Sequence, residues 1–190
     1  MNQAISGAGL FLVQALLTIA TFAVLLRFIL QAVRADFYNP ISQGIVRLTD
    51  PVLRPLRKVI PSAGGLDLAA LLLTVVLQML LIQAIFTGLG PVTTLVLSSF
   101  RLLMLVLDIY FWALIIIVIL SWVAPGNTHP AALLLYQITE PLVAPFRRLI
   151  PPMGGLDFSI MAVFLILIVI REFLLPGLAL ELGIGRAALG

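Results

Sequence analysis

Long apolar segments alternate with short polar connections along this chain. Four of the segments are long enough to cross a bilayer, because a membrane-spanning helix needs about 20 apolar residues. They cover residues 8–33, 68–88, 102–124 and 158–180. The 190 residues are 62% hydrophobic and only 10% charged, whereas soluble domains contain about 25% charged residues. The sequence therefore predicts an all-α integral membrane protein with four transmembrane helices.

The second half of the chain repeats the first at a constant offset of 90 residues. Residues 49–67 read TDPVLRPLRKVIPSAGGLD, and residues 139–157 read TEPLVAPFRRLIPPMGGLD. A self-similarity of this kind defines the structural unit. Because each unit crosses the membrane twice, both enter from the same side, and we expect two parallel tandem helical hairpins. The predicted repeats are 1–90 and 91–190, with motif loops at 34–67 and 125–157.

Each motif loop is expected to contain an amphipathic segment that lies in the membrane interface. In the first loop, apolar residues recur at steps of three and four while polar residues occupy the other face, which is typical of an interfacial helix. A proline suits the first turn of a helix, where its missing N–H would have no partner. Pro51 therefore predicts a second short helix that begins near Asp50, and Pro141 predicts a similar restart in the second loop.

Most residues shared by the two motifs have a structural explanation. The prolines begin and end helices, the glycine pairs permit a turn with positive φ, and the aspartates cap the membrane helix that follows. These structural residues are Pro51, Pro55, Pro61, Gly64, Gly65 and Asp67 in the first motif and Pro141, Pro145, Pro151, Gly154, Gly155 and Asp157 in the second.

Basic residues are concentrated in the motif loops. The loops hold Arg34, Arg47, Arg54, Arg57, Lys58, Arg147 and Arg148, whereas the opposite side holds Arg101 and Arg186. By the positive-inside rule, we expect cytoplasmic motif loops and both termini outside. Each cation near an anionic surface contributes about 1 kcal/mol of binding. The candidate lipid- or partner-binding residues are therefore Arg54, Arg57, Lys58, Arg147 and Arg148; alternatively, these charges only set the topology.

Ionisable residues within the spans need partners, because a charge in hydrocarbon costs a few kcal/mol or more. These residues are Arg27, Asp108, Arg171 and Glu172. Asp108 and Arg171 lie at matching depth, about 21 Å from the motif side at ~1.5 Å per residue, so we expect an ion pair. The pair either fastens two helices together or lines a path for a solute or proton. Arg27 is expected to snorkel to the interface or to reach Asp67, Asp157 or the carbonyl groups of the turn.

The sequence lacks the motifs that are typical of catalytic and metal-binding sites. The chain has no cysteine and a single histidine, His129, and it contains no nucleophile, phosphate-binding or paired-carboxylate motif. We therefore expect no enzymatic activity, no metal and no cofactor. Because the net charge of +3 is concentrated beside the spans, direct binding of nucleic acid is not expected.

The duplicated pattern Pro-x-x-x-Pro-x-Arg-Arg/Lys-x-Ile-Pro-x-x-Gly-Gly-x-Asp, at 51–67 and 141–157, resembles that of YggT family membrane proteins and their YlmG-type relatives in cyanobacteria and plastids. The resemblance covers nearly the whole chain. It implies a bacterial inner-membrane protein linked with cell division, nucleoid distribution or osmotic tolerance. In plastids the link is with maturation of a b-type cytochrome. The resemblance implies no catalytic residue.

Two functional hypotheses follow from these observations. The first is a non-enzymatic inner-membrane scaffold or assembly factor whose duplicated basic motifs contact anionic lipids or an unidentified membrane protein at the cytoplasmic face. The second is an oligomeric channel or transporter for ions or small solutes. Both hypotheses allow a homo-oligomer.

Overall fold

The computed structural model describes residues 2–150 and 157–184, and within them it contains seven α-helices and one π-helical segment. The π-helical segment, Ile170–Leu174, continues the last membrane helix without a break. The α-helices are α1 (Asn2–Ala32), α2 (Pro40–Arg57), α3 (Leu68–Ile85), α4 (Pro91–Val123), α5 (Pro130–Leu149), α6 (Phe158–Val169) and α7 (Leu175–Glu181).

Among the described residues, four helical stretches are long and apolar enough to cross a membrane: Gly7–Ala32, Leu68–Ile85, Pro91–Val123 and Phe158–Glu181. The chain is thus an all-α multi-pass membrane protein, as predicted; the parallel hairpin arrangement stays a prediction. The third span begins at Pro91, eleven residues earlier than predicted. Serines do not interrupt it, because their hydroxyls can donate back to the helix, as Ser99 Oγ does to the Leu95 carbonyl at 2.8 Å.

The chain forms two compact units, of which the first comprises Met1–Ala32 and Gly44–Leu102. Within it, α1 packs closely along α3, where the side chains of Thr21, Ala70 and Thr74 are almost completely buried. Small residues allow membrane helices to approach each other closely. Leu53 of α2 completes the core by packing against Val24 and Ala70, so α2 is attached to the membrane helices by its buried side.

The second unit comprises Val33–Gln43 and Leu103–Gly190. Its core is formed by Leu114 of α4, Val143 of α5, and Val163 and Leu167 of α6. The connection that precedes α2 is fastened to α5, because the Asn39 side-chain amide donates to the Pro130 carbonyl at 2.7 Å. The Asp36 N–H donates to Gln137 Oε1 at 2.9 Å as well.

The predicted pair of short helices meeting near Asp50 is wrong. The helix α2 continues through Pro51 and Pro55, and α5 likewise continues through Pro141 and Pro145. All four prolines are on the exposed side, where a carbonyl group that loses its helical donor is able to bind water instead. Each motif therefore presents its charged residues on one continuous helix.

The predicted turn and caps of the first motif are present. Gly64 and Gly65 have φ angles of 62° and 84°, and Ala63 and Leu66 on either side exchange backbone hydrogen bonds of 3.2 and 3.0 Å. Positive φ at both central positions is the requirement of a type I′ turn. Asp67 then caps α3 by accepting from the Ala70 N–H at 3.2 Å. The helix α2 has already ended at Arg57, before Pro61.

The second motif is capped in the same way, because Asp157 accepts from the Ser159 N–H at 3.0 Å at the start of α6. The predicted turn residues Pro151, Gly154 and Gly155 lie outside the described residues.

Candidate functional site

Both motifs form the same ion pair between the end of an amphipathic helix and the start of a membrane helix. In the first motif, Arg57 donates to Asp67 Oδ2, with a distance of 3.1 Å from Nε and a second, shorter contact from Nη2. In the second motif, Arg147 Nε donates to Asp157 Oδ2 at 3.1 Å. Each aspartate is also the cap of the membrane helix. The pair therefore joins α2 to α3 and α5 to α6, which gives Arg57 and Arg147 a structural function.

A second carboxylate at each site was missed by the sequence analysis. Arg147 Nη1 donates to Glu140 Oε1 at 2.9 Å, and Arg57 Nη1 lies 3.9 Å from Asp50 Oδ1. Asp50 and Glu140 occupy equivalent positions of the repeat, each seven residues before its arginine. Residues seven apart lie on one side of a helix, two turns from each other. That spacing, together with the shared acidic character, is the signal by which the sequence identifies them.

The two carboxylates keep Arg147 charged. Burial lowers the pKa of its guanidinium, but the hydrogen bonds and negative charges of Glu140 and Asp157 outweigh this effect, so the pKa is raised above its ordinary value. An opposite charge within hydrogen-bond distance always favours the charged form. The Arg147 guanidinium is therefore positively charged throughout the physiological pH range.

In the first unit this site is extended by a buried arginine from α1. Arg27 is only 5% exposed, and its Nη2 lies 3.1 Å from Asp50 Oδ1. Its Nη1 donates to Thr49 Oγ1 at 3.3 Å. Arg54 Nη2 contacts the other Asp50 oxygen at 2.9 Å. We refer to Arg27, Asp50, Arg54, Arg57 and Asp67 as the Arg27 cluster.

The sequence predicted that Arg27 either snorkels to the interface or reaches Asp67, Asp157 or the carbonyl groups of the turn, and the structure shows Asp50 as its partner instead. Asp50 is the partner because α2 is continuous and thus carries Asp50 beside α1. The second repeat has Ile117 and Ala144 where the first has Arg27 and Arg54. The Arg27 cluster is therefore a feature of the first repeat alone.

The helix α2 has three distinct sides. Ser42, Thr49 and Leu53 form its buried side. The second side is apolar and exposed, with Leu48 at 65% and Val52 at 53% exposure, and Ile41 lies on the same side because it is seven residues before Leu48. The third side is charged and exposed, with Arg47, Arg54 and, just after the helix end, Lys58.

The candidate binding cations differ in their exposure and in their ion-pair partners. Arg57 and Arg147 are half-buried in the ion pairs described above, whereas Arg54, Lys58 and Arg148 are exposed. Within the described part of the chain, neither Lys58 nor Arg148 has a carboxylate at ion-pair distance. Lys58 and Arg148 are therefore free to contact an anionic surface, and Arg54, whose side chain is 76% exposed beside Asp50, still presents its guanidinium to the outside.

The predicted ion pair between Asp108 and Arg171 is present in the second unit. Arg171 Nε donates to Asp108 Oδ1 at 2.6 Å, and its Nη1 donates to Glu172 of the same helix. The guanidinium also lies over the Phe111 ring, 5.8 Å from its centre. Arg171 and Glu172 belong to the π-helical segment, and such segments are rare in helices and frequent at functional sites.

No group of three histidine, aspartate or glutamate side chains that is able to hold a metal ion exists among the described residues. His129 has a structural position instead, because its Nδ1 accepts from the Ala131 N–H at 3.3 Å as the cap of α5.

A family model and individual relatives both match nearly the whole chain. The model of the family described as CCB3/YggT matches the chain twice, over residues 6–89 and 96–178. The chain is 46% identical over 182 residues to an uncharacterized protein of Pseudomonas aeruginosa, with 93% of this chain and 92% of that protein covered. It is 36% identical over 184 residues to the uncharacterized protein YggT of Escherichia coli K12, with 90% and 97% covered. No solved structure matches the chain.

Proposed function

Because the chain belongs to the CCB3/YggT family of bacterial membrane proteins, we propose that it is a non-enzymatic scaffold of the inner membrane whose helix α2 holds anionic lipid against the cytoplasmic face. The apolar side of α2 enters the interface, and the charged side contacts lipid phosphates. The duplicated motif of the second repeat adds a smaller contact surface through Arg148.

The observation that carries this proposal is that α2 has two exposed sides of opposite character. Leu48 and Val52 are exposed on one side, and Arg47, Arg54 and Lys58 on the other. A helix with an apolar side, a basic side and one attached side is stable at the boundary between hydrocarbon and head groups. A water-exposed helix would leave the apolar side without a partner.

The attachment of α2 to the membrane helices supports a scaffold function. The buried ion pair of Arg27 with Asp50 joins α2 to α1, and the pair of Arg57 with Asp67 joins it to α3. A helix fastened at its middle and at its end holds its exposed cations in one arrangement, so little conformational entropy is lost when they contact lipid. Such a surface gathers anionic lipids at one place in the membrane, where an assembly with a partner protein is able to form.

Lipid selectivity of the reconstituted protein tests the proposal. We expect wild-type protein to prefer spin-labelled phosphatidylglycerol over spin-labelled phosphatidylcholine in electron spin resonance spectra. The triple variant R47Q/R54Q/K58Q removes three cations that each contribute about 1 kcal/mol near an anionic surface. Its relative association constant for phosphatidylglycerol is expected to fall at least fivefold, and high salt is expected to have a similar effect on wild type.

The matched control is R47K/R54K, which keeps both charges and is expected to keep the selectivity. If the triple variant folds normally and its preference for phosphatidylglycerol equals that of wild type, the lipid-binding proposal is wrong.

A second candidate function is an oligomeric channel or transporter, and one observation favours it. The side chains of Asp108 and Arg171 are 35% and 36% exposed within a membrane span, and Glu172 is more exposed still. Charges within a span usually face a polar cavity or another helix. In this alternative, the three residues line a path for an ion or small solute between copies of the chain.

A further inference from the structure

The charge cluster of the last membrane span contains more negative than positive charge. Arg171 pairs with Asp108 of α4 and with Glu172 of its own helix, so one cation faces two carboxylates. Among the described residues, no second cation lies at ion-pair distance from either carboxylate. The cation within α4 is Arg101, which lies seven residues before Asp108 and has its guanidinium over the Phe86 ring. One negative charge of the cluster is therefore not compensated by a cation of its own.

The cluster lies well inside the hydrocarbon core. Asp108 is in the middle of α4, with 17 residues of the helix before it and 15 after it. Glu172 follows the start of the last span, at Phe158, by 14 residues, which is about 21 Å of helix at ~1.5 Å per residue. Because the core is about 30 Å thick, Glu172 lies about 9 Å from its far boundary. An ionised carboxylate at that depth is costly unless a positive charge compensates it.

Glu172 belongs to an exposed side of the last span. Met161, Leu165 and Val169 are each more than half exposed, and they precede Glu172 at steps of four, four and three residues. Residues at these steps lie on one side of a helix. The Glu172 side chain is 52% exposed, so it is the one charge on an exposed stripe of about three turns. The apolar residues of the stripe suit lipid chains, whereas an ionised carboxylate does not.

We propose that this stripe is a docking surface for a transmembrane helix of another protein that carries one lysine or arginine at the depth of Glu172. The cation of the partner helix pairs with Glu172, and the joint cluster of two cations and two carboxylates is then neutral. Apolar residues of the partner helix cover Met161, Leu165 and Val169. Charged residues within membrane spans usually pair with one another, because neither is solvated by lipid chains.

The charge of the cluster favours this occupant over two others. A second copy of the chain in the same orientation would place its own Glu172 at the same depth, and two clusters of equal negative charge repel each other strongly at low dielectric constant. A lipid carries its charge in the head group, at the membrane surface and thus about 9 Å from Glu172. A basic residue within a membrane helix is held at the required depth.

Binding of a synthetic membrane-spanning peptide to the full-length protein tests the proposal. The peptide has about 20 leucine and alanine residues with one lysine near its centre, and a matched peptide has leucine in place of the lysine. In lipid bilayers, energy transfer from a donor on the T87C protein to an acceptor at the end of the peptide measures their association. We expect the lysine peptide to bind at least about fivefold more tightly than the leucine peptide.

Three variants locate the contact. The variant E172Q removes the negative charge and is expected to bind the two peptides equally. The variant E172D keeps the charge and is expected to keep the preference for the lysine peptide. The control is E181Q, which neutralises the exposed glutamate at the last position of the span and is expected to behave like wild type.

The proposal is overturned if wild type binds the two peptides equally, a comparison that requires no substitution at Glu172. It is also overturned if folded E172Q keeps the preference for lysine, or if E181Q loses that preference to the same extent as E172Q. A change in the oligomeric state of E172Q without a change in peptide binding would identify a second copy as the occupant instead. Helix α2 is unaltered in all these variants, so the result is independent of the lipid contact proposed above.

Discussion

Asp50 accepts contacts from three arginines, and the burial of each arginine determines how much its contact stabilises the protein. The side chain of Arg27 is 6% exposed, whereas that of Arg54 is 76% exposed, although both lie about 3 Å from the Asp50 carboxylate. A buried charge cannot be solvated when its partner is removed, so the loss of stability is large. An exposed arginine is solvated with or without its partner, so its contact contributes little to stability.

This difference predicts unequal effects of two matched substitutions. The variant R27M is expected to lower the free energy of unfolding by about 3 kcal/mol, since it leaves Asp50 with less compensation in a buried site. The variant R54M removes an exposed partner of the same carboxylate and is expected to cost less than about 1 kcal/mol. Reversible unfolding in mixed detergent micelles measures both.

A double-mutant cycle separates the ion pair from the packing of the Arg27 stem. The variant R27M/D50N is expected to lose about 1 to 2 kcal/mol less than the sum of its single variants. Strict additivity, or equal losses for R27M and R54M, would contradict a buried ion pair at Asp50.

At the scale of the elements, the main departure from expectation is the continuity of the motif helices. A proline after a polar residue is typical of the first turn of a helix, because within a helix it removes a backbone hydrogen bond and clashes with the preceding turn. The outcome depends on whether neighbouring residues are held by contacts elsewhere. In α2, Leu53 is buried against Val24 and Ala70, and Arg27 holds Asp50, so the segment on both sides of Pro51 is kept helical.

The π-helical segment is the element on which the two functional candidates differ. If Asp108 and Arg171 only fasten α4 to the last span, the variant D108N is expected to lower the free energy of unfolding by about 1 to 3 kcal/mol. Ion and proton flux into liposomes containing wild type or D108N is then expected to equal that of protein-free liposomes. The matched control is E172Q, which neutralises the more exposed carboxylate of the same cluster. A flux that requires wild-type protein and changes with D108N would favour the channel over the scaffold.

At the scale of the whole molecule, the asymmetry between the repeats limits what their similarity implies. Both repeats keep the arginine–aspartate pair and its second carboxylate, but only the first has the Arg27 cluster and a strongly basic amphipathic helix. We infer that the shared part of the motif maintains the fold and that the first repeat provides most of the lipid contact.

The orientation of the whole chain is predicted by the concentration of arginine and lysine in the motif loops. In a chain without native cysteine, the variant S62C is expected to react with a membrane-impermeant maleimide in inverted vesicles but not in intact spheroplasts. T87C, an exposed position between α3 and α4, is expected to show the opposite accessibility. Labelling of S62C only from outside would contradict the proposed topology.

Features that depend on local chemistry were readable from the chain alone. Hydropathy predicted the four spans, because each must satisfy its own backbone hydrogen bonds in hydrocarbon. The glycine pair and the aspartates of the motif predicted a turn and two caps, since these involve residues only a few positions apart. The ion pair of Asp108 with Arg171 was predicted as well, because two opposite charges at equal depth in hydrocarbon stabilise each other by pairing.

Features that depend on contacts between distant segments required the tertiary structure. Pro51 predicted a helix start near Asp50, but in the structure Asp50 pairs with Arg27 of α1. Arg57 and Arg147 were candidates for binding a lipid or partner, but they pair with Asp67 and Asp157. An apolar groove between α4 and α6 is formed by residues more than forty positions apart, such as Ile119 and Ile160. Side-chain burial decides which cations remain available for a ligand, and burial is a property of the packed chain that no local pattern contains.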